Sequence, residues 1–315
     1  MMTAGASLSP TRTLPGARKG LRKRQRHHYV LAFLLVLPAM AFIGVFIAYP
    51  FVQGIYRSFF NYNGGNLNQF IGIQNYIDLF KDPLVGPSFL NVFILTSALV
   101  IQSVVVAFVA AWLIHHLSSE RLKYLFRVLV MLPAVVPTIV GFLLWTEFLS
   151  PDGAVNQVLG GLGLGFLQGD WLGDPNRVII GLIIVGFPWL NGINTLLFLA
   201  ALGEIPNEIY DSARLDRAGR GRILWNIEIP AVMAQASVLM VLAIVIGLQS
   251  YENVYVMTGG GPFNSSNVPG LILFKNAFGY GRFGYASAIG VVLFIVIAAV
   301  LLLGSWLRKR ARNAF

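Results

Sequence analysis

Two stretches of this 315-residue chain concentrate the side chains that could do chemistry. Residues 210–230, YDSARLDRAGRGRILWNIEIP, hold seven charged groups (Asp211, Arg214, Asp216, Arg217, Arg220, Arg222, Glu228) in a chain only 11% charged. Groups of this kind make ion pairs and charge-assisted hydrogen bonds with a partner surface. Residues 249–253 (Gln249, Ser250, Tyr251, Glu252, Asn253) and the run GFPWLNGINT, with Trp189, Asn191, Asn194 and Thr195, instead offer amides, hydroxyls and aromatic faces. Other chemistries are poorly supplied. The chain has no cysteine, so it has no disulfide framework, thiolate metal site or Cys nucleophile. His27–His28 and His115–His116 are adjacent pairs, whose side chains on a helix point about 100° apart and chelate poorly. They read as polar ends at an interface, and no metal site is expected. No Gly-Lys pair occurs anywhere, which excludes a phosphate-cradling G-x-x-x-x-G-K-[ST] loop and any capacity of this chain to use ATP by itself.

The elements that must position these residues are membrane helices. The chain is 56% hydrophobic, more than a soluble surface tolerates. A charge near the bilayer centre costs about 2.5–3.5 kcal/mol, so long uncharged gaps locate the spans. Six gaps meet the roughly 18–20 residues needed to cross a hydrocarbon core. They predict spans at about 29–53, 91–116, 126–149, 178–202, 230–251 and 284–307. A seventh gap, 253–274, contains TGGGPFNSSNVPG; it is too polar and too rich in Gly and Pro to face lipid and reads as a loop.

Orientation follows from the cations. With an interior amino terminus, eighteen of the 23 Lys and Arg residues fall on the inner side and five outside, so both termini are expected in the cytoplasm. The net charge of +10 is thus topological, which excludes a nucleic-acid face. The basic start followed by so long an apolar run reads as a retained first span, not a signal peptide. Residues 1–28 are expected to be a disordered basic tail and 308–315 a second basic tail. Outside, Asn63-Gly64-Gly65 predicts a turn leading into a short amphipathic helix over 73–80, and SPDG opens a glycine-rich connection over 150–177. Pro133 and Pro137 predict a kink in the third span.

Topology places residues 204–229 inside, between the fourth and fifth spans. Pro206 suits a first helical position, Glu208 and Asp211 favour an early turn, and Ile209 and Ala213 share one face. Gly219 and Gly221 are expected to end that helix, and a second apolar stretch, Ile223, Leu224 and Ile227, to stop at Pro230. The charges could simply solvate a loop and stop translocation. A helix–Gly–helix element with charged and apolar faces is, more specifically, shaped to dock into a partner.

This stretch resembles the EAA loop of the membrane subunits of ABC importers: Asp211, Ser212 and Ala213 stand at its Glu-Ala-Ala, Asp216, Arg217 and Ala218 at its Asp-Gly-Ala, and Ile227, Ile229 and Pro230 at its end. LAALGEIPNEIYDSA, YENVYVMTGGGP and YGRFGYASAIGVVLF are similar to the sugar-transporting branch, of maltose and glycerol-3-phosphate type. The resemblance covers roughly residues 29–308. It implies an all-α integral membrane fold, the six-helix type I importer permease core, in a bacterial or archaeal cytoplasmic membrane. It implies no catalytic, cofactor or metal residue here, ATP and Mg being bound by a partner.

The implied partners are a second related permease, two ATP-binding subunits, an external solute-binding protein, lipid and a sugar. Glu208, Asp211, Ser212, Ala213, Asp216, Arg217, Ala218 and Gly219 are the implied ATPase-docking residues. Trp189, Asn191, Asn194 and Gln249 to Asn253 are the expected cargo path, because sugars take neutral hydrogen bonds and aromatic stacking; each could equally be glue between helices. Two positions depart from the pattern: Arg217 replaces the family's glycine, and Asp211 its glutamate. The turn is therefore expected to shift, or Arg217 to contact the partner itself. A permease for a phosphodiester, polyamine or peptide is the alternative, then a secondary carrier or membrane enzyme. The last two want buried ionisable groups that the spans lack.

Overall fold

The computed structural model describes residues 33–185 and 192–312, the last six by backbone alone. The chain divides into two units, Met1–Tyr56 and Arg57–Phe315. In the first, helix α1 (Phe33–Arg57, whose final residue opens the second unit) is apolar and long enough to span a bilayer. A π turn, Gly44–Ala48, interrupts it.

The second unit begins with a two-stranded antiparallel hairpin, β1 (Phe60–Tyr62) and β2 (Asn68–Phe70), with Asn61 opposite Gln69. The Asn63 side chain closes the turn by accepting bonds from the Gly65 and Leu67 amides. The expected amphipathic helix follows as α2 (Gln74–Lys81). Asn75, buried in its first turn, donates to the Ser58 and Phe60 carbonyls and pins helix to hairpin. The small hairpin is the one departure from an all-helical chain among the described residues.

Helix α3 (Val85–His115) is the second span. It widens into a π turn at Ile101–Val106. The third span is not the single kinked helix expected over 126–149. Helices α4 (Glu120–Val135) and α5 (Thr138–Phe148) meet at 96°. The cause is local: Val136, directly before Pro137, is driven out of the helical region to an extended conformation. Beyond it, α6 (Ala154–Gly161) lies in the glycine-rich connection. Buried Asn156 gathers that connection by donating to the Ser150, Pro151 and Gly169 carbonyls and accepting from Trp171.

The expected fourth span is described as α7 (Val178–Ile184) and α8 (Gly192–Gly203), on either side of residues outside the described set. A Cβ on Gly192 would run into the Val130 carbonyl, so glycine is what lets α8 approach α4 closely. After α9 (Asn207–Leu215) comes α10 (Arg220–Gln249), one 30-residue helix. It overturns the expected stop at Pro230: the second loop helix and the fifth span are continuous. A π turn at Leu224–Glu228 widens the turn just before Pro230, where a proline's missing N–H and ring would otherwise break the ladder.

Residues 253–274, expected to be a loop, contain two short helices, α11 (Glu252–Met257) and α12 (Pro269–Phe274), joined through a cis Gly261–Pro262 bond. Residues 266–272 are all buried. The exclusion of lipid-facing backbone was sound, but burial inside protein satisfies the same requirement. Helix α13 (Phe283–Arg312) is the last span.

Among the described residues, four helices are long and apolar enough to cross a membrane, and the bent α4–α5 pair makes a fifth. Three apolar clusters among the described residues organise the second unit: Val92, Leu149, Leu182, Leu248, Val254 and Leu271 in one, Ala107, Ala111, Ile114, Phe198, Leu202 and Leu239 in another, and Leu79, Val85, Ile272, Tyr285 and Ile289 in the third. Gly247 lets α10 and α3 touch, since a Cβ there would stand 2.8 Å from the Thr96 side chain.

Candidate functional site

Helix α10 ends at Gln249 because Ser250 turns extended, and α11 restarts at Glu252. The resulting break faces a cavity of 540 Å³ whose walls come from α3, α5, α7 and α10. Gln249, Ser250, Tyr251, Glu252 and Asn253 all line it, with Gln102 and Thr138 opposite. Ser250 donates to the Asn253 side-chain oxygen at 3.3 Å, holding the break in shape. Tyr251 stacks on Phe274 with centroids 5.3 Å apart. Most of the remaining wall is aliphatic, including Val92, Leu95, Leu182 and Ile246. Such a chamber offers neutral hydrogen bonds and an aromatic face, with Glu252 as its single charge.

Asn194 does not join this cavity. Its amide donates to the Ser103 carbonyl at 3.2 Å, inside the α3 π turn whose ladder is loosened, so it acts between helices. Trp189 and Asn191 lie outside the described residues. Gln102 and Thr138 were not picked out from the sequence. A glutamine alone in a long apolar run was the available signal for the first; its amide also donates to the Ile183 carbonyl at 2.8 Å.

The second candidate element is α9 and the turn after it. Pro206 caps α9, one residue outside the expected position, and Glu208 lies in the first turn. The helix does not run on to Gly219. It ends at Leu215, with the Arg217 amide donating to Arg214 at 3.0 Å and the Ala218 amide to Ala213 at 2.9 Å. These paired bonds form a Schellman cap, which needs a left-handed residue at Arg217. Arg217 adopts φ 53°. The turn has therefore not shifted; the arginine takes the strained conformation in place, at a cost of about 1 kcal/mol relative to glycine. Gly219, extended at φ −70° and ψ 162°, begins α10 and does not end α9.

Of α9 only Ala213 is buried. Ser212 donates back to the Glu208 carbonyl, and Asp211 pairs with Arg214 at 3.2 Å on the exposed face. Asp216, Arg217 and Gly219 are exposed and Ala218 half-buried. Leu215 is 85% exposed and Trp225 69%, large apolar groups left bare beside the charges. An accessible helix with a capped tip and bare apolar groups amid charge has the composition that docking surfaces use.

A third feature was invisible in the sequence. Glu228 is 1% exposed, unlike the other six charges of its stretch, all exposed. Trp112 Nε1 donates to its Oε2 at 2.8 Å, the Tyr210 hydroxyl donates to Oε1 at 3.2 Å, and His116 Nε2 lies 3.2 Å from Oε1. His116 Nδ1 also faces an acceptor, the Trp112 carbonyl at 2.9 Å. Both ring nitrogens of His116 thus face an oxygen, one on its own helix and one on Glu228. Burial, then the neighbouring Glu228 charge and its hydrogen bond, push the Tyr210 hydroxyl up to about 12. It remains a donor throughout the physiological range.

Comparison with known proteins bears on the family and the fold. The family model for the inner membrane component of binding-protein-dependent transport systems matches residues 103–313. The multiple sugar-binding transport system permease protein MsmF of Streptococcus mutans is 31% identical over 291 residues, covering 92% of this chain and 98% of its own. The diacetylchitobiose uptake system permease protein NgcF of Streptomyces coelicolor is 31% identical over 317 residues, 95% of this chain and 89% of its own. A subunit of a bacterial alginate ABC transporter, solved in complex with an alginate pentasaccharide-bound periplasmic protein, superposes with a TM-score of 0.80 at 20% identity. That match covers 92% of this chain and 97% of the other, and establishes a common fold.

Proposed function

Because the chain belongs to the family of inner membrane components of binding-protein-dependent transport systems, we propose that it is the permease subunit of an ATP-driven importer carrying a sugar or oligosaccharide. It is a transport component and not an enzyme. The observation that carries the reading is the left-handed turn at Arg217, where the resemblance implies the family's glycine, ending an exposed helix whose partner helix is continuous with a span. A push on α9 reaches α10 through that turn and through the Glu228 contacts, and α10 ends in the wall of the 540 Å³ cavity. Motion at the docking end is thereby delivered to the chamber, as alternating access driven by a partner's chemistry requires.

Glu208, Asp211 and the 215–219 turn are the ATPase-docking surface in this proposal, and residues 249–253 the polar wall of the cargo path. ATP and Mg belong to two separate ATP-binding subunits, a second permease completes the pore, and an external solute-binding protein delivers cargo. The sugar class is supported by the names of the relatives and by a lining of amides, hydroxyls and one tyrosine without any Lys or Arg. The position in the cytoplasmic membrane with both termini inside is supported by the distribution of Lys and Arg.

Two measurements test the proposal. The complex, purified with its ATP-binding subunits and reconstituted with the binding protein, is expected to accumulate labelled sugar only when ATP is supplied; uptake against a gradient by the isolated chain overturns the reading. The chain has no cysteine, so a single Cys at Leu215 can be probed with an impermeant maleimide. Labelling only from the inner side is expected, and labelling of intact cells overturns the topology.

A further inference from the structure

We infer that Glu228 is the positioning residue that fastens the docking helix α9 to the membrane helices, so that the adjoining ends of α3, α9 and α10 move as one body. The inference rests on the docking role proposed above. Glu228 touches neither nucleotide nor cargo in this scheme; it acts through the helix it holds.

Four observations converge on it. Glu228 is 1% exposed at the end of the π turn Leu224–Glu228, where α10 passes from the docking loop into the apolar span. A buried carboxyl is tolerated only with partners, and these come from two other elements: Trp112 and His116 from the end of α3, and Tyr210 from α9. A ring contact also joins α3 to α9, His115 to Tyr210 with centroids 6.3 Å apart, while Trp112 and His116 pack on each other at 4.8 Å within the end of α3. Finally, α9 has little else to hold it, since Ala213 is its only buried residue and a 490 Å³ hollow separates Ile209 from Asn226 and Pro230.

A hydrophobic residue at 228 would fill the same volume and let α9 pivot about Pro206 and the Arg217 turn. A carboxyl with hydrogen bonds in three directions fixes both angle and register, because each bond is directional and each unpaired group would be penalised. Its location explains why a charge is kept where the helix enters the membrane. Force applied at α9 then reaches α3 and α10 together, which a flexible joint would dissipate.

The test uses the assembled complex with its ATP-binding subunits in nanodiscs, comparing wild type with Glu228→Gln, Glu228→Ala and Tyr210→Phe. Hydrogen–deuterium exchange of the α9 amides and the kcat and KM for ATP are read on the same samples, normalised to assembled complex. Glu228→Ala is expected to raise α9 exchange about tenfold, leave the outer segments unchanged, and lower kcat several-fold at constant KM, the nucleotide site being in another chain. Glu228→Gln, which keeps an acceptor for Trp112 but sets an amide N–H where Oε1 accepts from Tyr210, is expected to recover most of both, leaving about the threefold change that loss of the Tyr210 bond alone brings. Tyr210→Phe removes one hydroxyl and is expected to give about a threefold rise, which serves if Glu228→Ala fails to assemble.

Unchanged α9 exchange, or fewer assembled complexes with unaltered kcat per complex, overturns the inference. A wild-type chain that assembles with no ATP-hydrolysing subunit overturns instead the function on which it rests.

Discussion

In the proposed orientation the outer segment 252–279 and the inner segment 204–229 are both polar interruptions between apolar helices, yet they are built in opposite ways. The outer one is treated as core. Residues 266–272 are fully buried, and Asn91 of α3 clamps them by donating to the Ser265 and Asn267 carbonyls at 2.8 and 2.9 Å. Thr258 and Ser266 share a hydroxyl contact at 2.8 Å, and Ser266 also donates to Gly261. The inner segment leaves nearly all of α9 exposed and ties it down at one end through a buried carboxyl. Neutral amide clamps on backbone fix a surface; a single charged anchor under an exposed helix transmits through it. The difference separates a segment held as a wall from one that, in the proposed scheme, serves as a lever.

Four experiments break or sharpen that contrast, taken in order of their effect on stability. Asn91→Ala leaves two buried carbonyls unpaired and is expected to cost about 2–4 kcal/mol, seen as a lower thermal-unfolding midpoint of the solubilised protein. A midpoint close to wild type would mean the outer segment is not held as core. Gly247→Val forces a side chain into Thr96 and is expected to cost about 1–3 kcal/mol by the same assay while leaving α9 accessibility unaltered.

Arg217→Gly should act in the reverse direction, gaining about 1 kcal/mol because glycine adopts φ 53° without strain. If it also lowers ATP-driven uptake, the arginine contacts the partner in addition to shaping the turn. Asp211→Lys removes one exposed ion pair, so stability is expected to change by less than about 1 kcal/mol. Uptake per ATP hydrolysed should nonetheless collapse, and preserved coupling would remove Asp211 from the docking surface.

The Tyr210 contact adds a pH signature to the inner anchor. Its hydroxyl is raised from the ordinary 10.0 to about 12, so its stabilising bond is fully present below pH 10 and lost as pH rises through about 12. A tyrosinate absorbance step near pH 12 that disappears in Tyr210→Phe is the expected result.

Much of the architecture was legible because its causes are local. The spans follow from the absence of charge, and α2 and α9 follow from periodicity and an N-terminal proline or turn. The residues 249–253 stood out as polar groups ending an apolar run, and they do meet in one cavity. Asn194 carried the same signal but points to a neighbouring backbone, because a single amide in a span satisfies either role equally well. Pro133 and Pro137 announced a kink without its size; the 96° angle needs the extended Val136 and the packing of α4 on Gly192. The expected stop at Pro230 failed because a π turn can absorb a proline, and sequence periodicity does not distinguish a widened helix from an ended one.

By itself, then, the sequence determined that this chain lives in a bilayer, which way its cations bias it, and that one charged stretch is shaped for a partner. These are per-residue transfer costs and short-range periodicities, readable wherever they occur. Only the tertiary structure decided that residues 266–272 are interior and that Glu228, not its six exposed neighbours, is the anchored charge. Those outcomes depend on groups such as Asn91 and Trp112 reaching partners 176 and 116 positions away, and the cost of an unpaired buried polar group is set by whatever the fold brings beside it.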